Sequence, residues 1–320
     1  MLIINEQDIE SAVAPLELVG AIEKAYLIQD KKSTQIPDRM HINSAGNTLL
    51  VMPGFIESAF GTKLVSLFPE NKKLNKPVLS GVMILNDSQT GEPLALINGA
   101  KLTAMRTGAV GATAVKHLSQ NSAKTFGIIG AGVQAYHQAL IVGHVQPFQK
   151  LLVCDKEWQK AEQLKNKLDS KLENIKIEYT VDPDKLVLNS DVIITTTTSN
   201  TPVFDADVKN LKNKTFIGIG SYKPDMQEFP LQLFGTVEKV YVDTPFAKEE
   251  CGDLKIPIER GILKEHNVLS FSALLTKKQS LNKTSIRLFK SVGMSLFDLT
   301  VAELIFNNAK EKNLGTEVQI

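Results

Sequence analysis

The residues best suited to chemistry begin with the run Gly127-Ile128-Ile129-Gly130-Ala131-Gly132-Val133-Gln134-Ala135. A G-x-G-x-x-A turn placed directly after an apolar strand and directly before a helix is suited to holding the pyrophosphate of a dinucleotide. Gly130 permits the tight turn, Gly132 lets the backbone approach the phosphates, and Ala135 is small enough for close helix–strand packing. The helix opening at Val133 and Gln134 presents unpaired N–H groups and a positive dipole end. A bare G-x-G-x-x-A would say little; here the context it demands stands on both sides. Asp155 closes the second strand, 25 residues after Gly130. A carboxylate at that place hydrogen-bonds the adenosine ribose and repels a 2′-phosphate, which favours NAD(H). Lys156 beside it softens the discrimination, so NADP(H) stays open. Thr197, Thr198 and Ser199 end the run DVIITTTT, where strand gives way to loop and hydroxyls can meet ribose or nicotinamide. Thr195 and Thr196 are explained well enough as β-branched strand formers.

A second set of groups is cationic. Arg39, Lys63 and Arg106 each stand in short blocks, PDRMHI, TKLVSLFP and MRTGA, and the last two lie among apolar neighbours. A charge in such surroundings is costly without an anionic partner. Arginine offers a carboxylate a planar fork and lysine adds a compact charge. Taken one at a time, each could equally serve a structural ion pair. The five histidines, His41, His117, His137, His144 and His266, have no metal-ligand spacing, so no metal is expected. Cys154 falls inside an apolar strand and reads as inert.

The elements that must position these groups follow from periodicity. Residues 1–30 read as a short strand and a helix, with Ser11 as its cap and Ala14, Leu18, Ala21, Ile22 and Ala25 at helical spacing. From 36 to 100 the runs LLVMPG, TKLVSLFP, SGVMILND and PLALING are separated by Gly, Pro, Asn and Asp, a β texture, with a turn at Asn86–Gly91. A helix is expected over 100–119. Strand and helix then alternate: AKTFGIIGAG, KLLVCD, IKIEYTV, DVIITTTT, KTFIGIGS and KVYVDT are the strands. Such alternation predicts a parallel sheet covered on both faces. The last segment, SIRLFKSVGMSLFDLTVAELIFNNAKEK, holds a strand-like piece and a long amphipathic helix. It belongs either to the edge of the parallel sheet or to a return crossing into the first domain.

Composition narrows the class. Lys plus Arg number 36 and Asp plus Glu 35 in 320 residues. That balance argues against a nucleic-acid binder or a polybasic membrane module. Two distant cysteines without CxxC spacing suit a reducing compartment rather than a disulfide framework. The start, MLIINEQDIESAV, lacks the apolar core of a signal peptide, and no run approaches ~20 apolar residues. The expectation is a cytoplasmic protein with no membrane partner.

The same blocks also carry a family likeness. PDRMHI, LLVMPGF, GTKLVSLFPEN, GVMILNDSQTGEPLALINGAKLTAMRTGAVGATAVKHL, GIIGAGVQA, GIGSYKPDMQE and KSVGMSLFD occur in that order over nearly the whole chain. Together they resemble the ornithine cyclodeaminase/mu-crystallin family. The resemblance implies a doubly wound Rossmann domain (120–289) inserted into an α+β substrate and dimerisation domain (1–119 plus about 290–320), in a homodimer. It implies that Arg39, Lys63 and Arg106 hold a substrate carboxylate. Gly220 and Ser221, with Ser291, Val292 and Gly293 of the KSxG loop, would approach the nicotinamide and substrate.

The chain departs from the cyclodeaminase pattern at two places. Leu50, three residues before Pro53, and Tyr222, two residues after Gly220, stand where those enzymes carry Glu and Asp. Without them a second, distal amine has no acceptor. Leu50 suits the methylenes of a small ring, and Tyr222 can donate a hydrogen bond to an imine or its water. The loop SYKPDMQE is closer to the ketimine-reductase branch. The implied activity is NAD(P)H-dependent reduction of Δ1-pyrroline-2-carboxylate or Δ1-piperideine-2-carboxylate to proline or pipecolate, with Lys63, Arg106 and Tyr222 at the reacting centre. Ornithine cyclodeamination (with Asp225 as the base), alanine dehydrogenation, and ligand binding without catalysis, as in mu-crystallin, are the alternatives.

Overall fold

A computed structural model describes residues 1–31, 33–205, 207–277 and 285–319. The chain divides into two compact units, Met1–Arg106 with Met294–Ile320, and Thr107–Gly293. One division falls inside the helix Gly99–Leu118, earlier than the change of texture at 120 that the sequence suggests.

The first unit is built on a seven-stranded sheet. Its order is Thr316–Glu317, Leu2–Ile4, Pro93–Asn98, Leu79–Asp87, Ala59–Leu67, Asn47–Phe55, Met40–Ser44. All neighbours are antiparallel except Leu2–Ile4 with Pro93–Asn98. The turn expected at 86–91 is present: Asp87 Oδ1 accepts from the amides of Gln89 and Thr90, both at 2.8 Å. Along Ala59–Leu67 the residues Ala59, Gly61, Lys63 and Val65 face inward, so a lysine occupies an apolar position in a two-residue alternation. Its cross-strand neighbours are Met52 and Met83. The helix Ser295–Glu311 lies on this unit's strands, and Ser295 Oγ donates to the Pro53 carbonyl at 2.7 Å. Phe297 meets Tyr26 edge to face, with ring centres 5.1 Å apart.

The N-terminal helix differs from the sequence expectation. It is two helices, Glu6–Ala12 and Pro15–Ile28. Asn5, not Ser11, is the cap, in a reciprocal box with Asp8. Pro15 lacks an amide hydrogen to continue the first helix and suits the opening turn of the second.

The second unit carries an eight-stranded, all-parallel sheet. Its order is Val268–Ser270, Val240–Val242, Arg287–Lys290, Thr215–Gly218, Val192–Thr195, Thr125–Ile129, Lys150–Cys154, Lys176–Thr180. The chain starts at Thr125–Ile129, builds outward to Lys176–Thr180, then returns to Val192–Thr195 on the other side of its first strand. That reversal is the switch point at which doubly wound sheets bind ligands, beyond the carboxyl ends of the strands. The piece at 287–290 is not an edge strand: it inserts between Thr215–Gly218 and Val240–Val242. The helix after it belongs to the first unit. Among the described residues no helix is long and apolar enough to cross a membrane.

Candidate active site

In the first unit two residues singled out from the sequence, Lys63 and Arg106, converge on one buried carboxylate, Asp298. Asp298 sits in the first turn of Ser295–Glu311 and is fully buried. Its Oδ1 accepts from Lys63 Nζ at 2.8 Å and from Arg106 Nε at 2.9 Å. Lys63 is 1% exposed and Arg106 5%, so neither charge is solvated and both depend on what they touch. With Lys63 protonated, two cations share one carboxylate, which leaves one positive charge over. Burial pulls the Lys63 ammonium down from 10.5 to about 7; Asp298 opposes that, while Arg106 and the half-buried Arg39 add repulsion. Arg106 bonds Asp298 through Nε, and a guanidinium carries two further Nη groups that can donate. The arrangement can receive an anion that brings two acceptor oxygens. Leu50, 6% exposed, faces inward from Asn47–Phe55, the strand next to that of Lys63. Asp298 is the one buried carboxylate among the described residues of this unit.

In the second unit the glycine turn follows the first strand of the parallel sheet. Gly130 has φ +97°, a conformation that disfavours a side chain, and a Cβ there would lie 3.0–3.1 Å from Thr196 and Thr197. Above Gly132 there is open space, with nothing within 4 Å of a Cβ. Gly132 caps the helix Val133–Val145 with no side-chain hydrogen bond to its amides. Val133 is 69% exposed. Gln134 carries a buried side-chain oxygen without a partner. An uncapped helix start and room over the turn fit a dinucleotide pyrophosphate. Asp155 is half-buried at the end of the second strand, and its Oδ2 accepts from the Ala131 amide at 2.8 Å. Lys156 is exposed.

The remaining candidates sit at the carboxyl ends of Val192–Thr195, Thr215–Gly218 and Arg287–Lys290, three adjacent strands. Their hydroxyls are committed inside the protein. Thr197 Oγ1 donates to Glu228 at 2.9 Å, Ser221 Oγ to the Met226 carbonyl at 2.7 Å, and Ser291 Oγ to Asp243 at 2.7 Å. Ser199 Oγ donates to the Thr201 carbonyl at 2.6 Å, and Thr198 is exposed. Asp243 Oδ2 also accepts from the amides of Val292 and Gly293, at 3.0 and 2.6 Å. Tyr222 is half-buried, with Lys223 Nζ 5.7 Å from its ring centre. Asp225 is exposed. Both cysteines are free and buried, and burial pushes each thiol up to about 12. No group of His, Cys, Asp and Glu among the described residues could hold a metal ion.

Glu228, Asp243, Asp253, Lys290 and Asp298 were absent from the sequence reading, yet all are buried. A signal existed. MQEFP and SLFDL each set one carboxylate inside an apolar run, and such a residue is seldom buried unless paired.

Known proteins resemble the chain over its whole length. The model of the ornithine cyclodeaminase/mu-crystallin family matches residues 1–313. A Δ1-pyrroline-2-carboxylate reductase of Bacillus cereus is 33% identical, with all of both chains covered. The structure of Thermococcus litoralis Δ1-pyrroline-2-carboxylate reductase in complex with NADH and L-proline superposes with a TM-score of 0.93 at 31% identity, covering 99% of this chain and 100% of that one. An archaeal alanine dehydrogenase dimer with bound NAD gives 0.92 at 25% identity, covering 100% and 99%.

Proposed function

The chain belongs to the ornithine cyclodeaminase/mu-crystallin family, and from that premise we propose that it reduces a cyclic α-imino acid, Δ1-pyrroline-2-carboxylate, to proline with NAD(H). The observation that carries this reading is the buried positive surplus at Lys63 and Arg106 over Asp298. A small substrate carboxylate supplies the missing negative charge, with Arg39 adding to the field. Leu50 presents a wall that matches methylenes and offers nothing to a second amine. The relatives named reductases of this substrate, and the one bound to NADH and L-proline, support the same conclusion.

The cofactor would be held by Gly130, Ala131, Gly132, Val133 and Gln134 at its pyrophosphate and by Asp155 at its ribose. The loops bearing Thr197–Ser199, Gly220–Ser221 and Ser291–Gly293 would take the nicotinamide end. When bound, it supplies a hydride to the carbon that bears both carboxylate and nitrogen. The chain's own residues do the rest. Arg106 and Lys63 fix the carboxylate and so orient the ring. Lys63, whose ammonium is destabilised by burial in the free site, is returned to its charged form by the substrate carboxylate it holds. Tyr222 donates a hydrogen bond to the imine or its water. Preference for NAD(H) over NADP(H), assembly as a homodimer and a cytoplasmic setting are part of the proposal.

An assay on one preparation tests it: NADH oxidation with Δ1-pyrroline-2-carboxylate beside ammonia release from L-ornithine and NAD+ reduction with L-alanine. Faster turnover of the imine supports the reductase. Ornithine turnover as fast or faster would replace it with a cyclodeaminase and direct attention to Asp225.

A further inference from the structure

The parallel-sheet unit contains a buried ionic cluster that the reaction itself does not use. Glu228, Asp253 and Lys290 are each fully buried. Lys290 Nζ lies 3.3 Å from Asp253 Oδ2 and 3.9 Å from Glu228 Oε2. Burial, with the neighbouring Asp253, holds the Glu228 carboxyl above the usual carboxylate range against the opposing pull of Lys290 and the Thr197 donors. Both carboxylate oxygens are already taken by donors. Oε1 accepts the Thr197 amide at 2.6 Å and the Thr197 hydroxyl at 2.9 Å. Oε2 accepts the Gly220 amide at 2.8 Å and the Ser221 amide at 3.1 Å. An acceptor-only carboxylate is the form that such donors fit.

These four donors come from two loops. Thr197 follows the strand Val192–Thr195, and Gly220 and Ser221 follow Thr215–Gly218, its parallel neighbour. The loops are close enough that a Cβ on Gly220 would lie 2.0 Å from the Thr197 carbonyl oxygen and 2.5 Å from Glu228 Oε1. Glu228 is itself fixed. Its amide and that of Phe229 donate to Asp253 Oδ1 at 2.7 and 3.0 Å, and its carbonyl accepts from Val203 at 2.9 Å. The strand order gives the clamp its place. Asp155, the adenosine-ribose residue, ends a strand on one side of Thr125–Ile129, and the two clamped loops end strands on the other. A dinucleotide laid across the switch point with its adenosine at Asp155 brings its nicotinamide to the clamped loops.

We propose that Glu228 is a positioning residue for the nicotinamide half of the cofactor, a single buried carboxylate that holds the loops after two adjacent strands in the shape that half requires. This rests on the reading of the unit as an NAD(H) site. It also reassigns Thr197 and Ser221. Their amides and hydroxyls donate to the protein, so these loops serve the cofactor by their shape rather than by those donors.

The test is Glu228→Gln. Glutamine offers one acceptor oxygen and turns an NH2 toward the other pair of donors, so one loop is released. Lys290 and Asp253 remain as a balanced pair, so the variant keeps no uncompensated buried charge and should fold. Binding of NADH and of ADP-ribose, which lacks the nicotinamide, is measured by calorimetry on wild type and variant. Expected is a loss of about tenfold or more for NADH with ADP-ribose held within about twofold, since hydrogen bonds to charged groups carry that much each. If Glu228→Gln fails to fold, Thr197→Ala removes one of the four contacts and should shift the same ratio by about threefold. Equal weakening of both ligands, or no change in either by a folded variant, overturns the proposal. A wild type that binds NADH but reduces no imine rejects the assigned reaction and leaves the clamp standing. A wild type that binds no NADH rejects both.

Discussion

Replacing Asp298 with asparagine removes the one negative charge between two buried cations and keeps the side chain's shape. Lys63 Nζ and Arg106 Nε lie 2.8 and 2.9 Å from the same oxygen. At an effective dielectric of about 20, each contact carries about 6 kcal/mol of attraction before desolvation and mutual repulsion are counted. Measured losses on breaking such buried pairs run to about 3–5 kcal/mol. Lys63 can escape part of this by losing its proton. Its folded pKa is about 7 against an ordinary 10.5, so between those values the unfolded state holds a proton that the folded state does not. Stability from this group therefore rises with pH across that window. Without Asp298 the folded pKa falls further and the window opens at lower pH. The variant recovers about 1.4 kcal/mol for each unit of that fall. Thermal unfolding at about pH 5.5 and pH 8 should show Asp298→Asn melting roughly 4–7 °C below wild type at the lower pH, with a smaller deficit at the higher. A variant equal to wild type at both, or a deficit that grows with pH, would refute the shared-counter-ion account.

Three further outcomes follow from the same geometry. Arg106→Ala should lose about 2–4 kcal/mol in kcat/KM for the imine with NADH affinity nearly unchanged, and an unchanged kcat/KM in a folded variant would place Arg106 outside the site. L-Proline binding at pH 8, where Lys63 is mostly unprotonated, should take up a proton, because a carboxylate beside Lys63 raises its pKa; calorimetry in two buffers of different ionisation enthalpy measures this, and zero uptake would contradict a lysine contact. NADH should serve at least as well as NADPH because Asp155 is fixed at the glycine turn, and an NADPH preference of about tenfold or more in kcat/KM would instead make Lys156 a phosphate ligand.

The parallel unit was legible in the sequence because its signals are local. Apolar runs such as TFGII and DVIITTTT with glycine turns between them declare buried strands, and the glycine turn names its ligand class. The position of Arg287–Lys290 inside the sheet was not legible, since strand order is a non-local property and the short run RLFK reads the same at an edge or at the centre. The N-terminal break was missed because Ser11 is a plausible cap by type, while Asn5 and Pro15 settle the matter through backbone geometry. Lys63 and Arg106 could be singled out as cations among apolar neighbours. Asp298 could not be paired with them from sequence, because it lies 235 and 192 residues away in the chain. Glu228 was hidden for the same reason: its four donors come from loops that only the sheet brings together.

The measurement closest to the central claim follows the transferred atom. Purified protein is incubated with Δ1-pyrroline-2-carboxylate and NADH carrying deuterium at both C4 positions, and the product is analysed by mass spectrometry. The account predicts proline carrying one deuterium at the carbon that bears the carboxylate, with Arg106→Ala giving the same product more slowly. Proline formed without the label, or no proline while the protein binds both NADH and the imino acid, would contradict it.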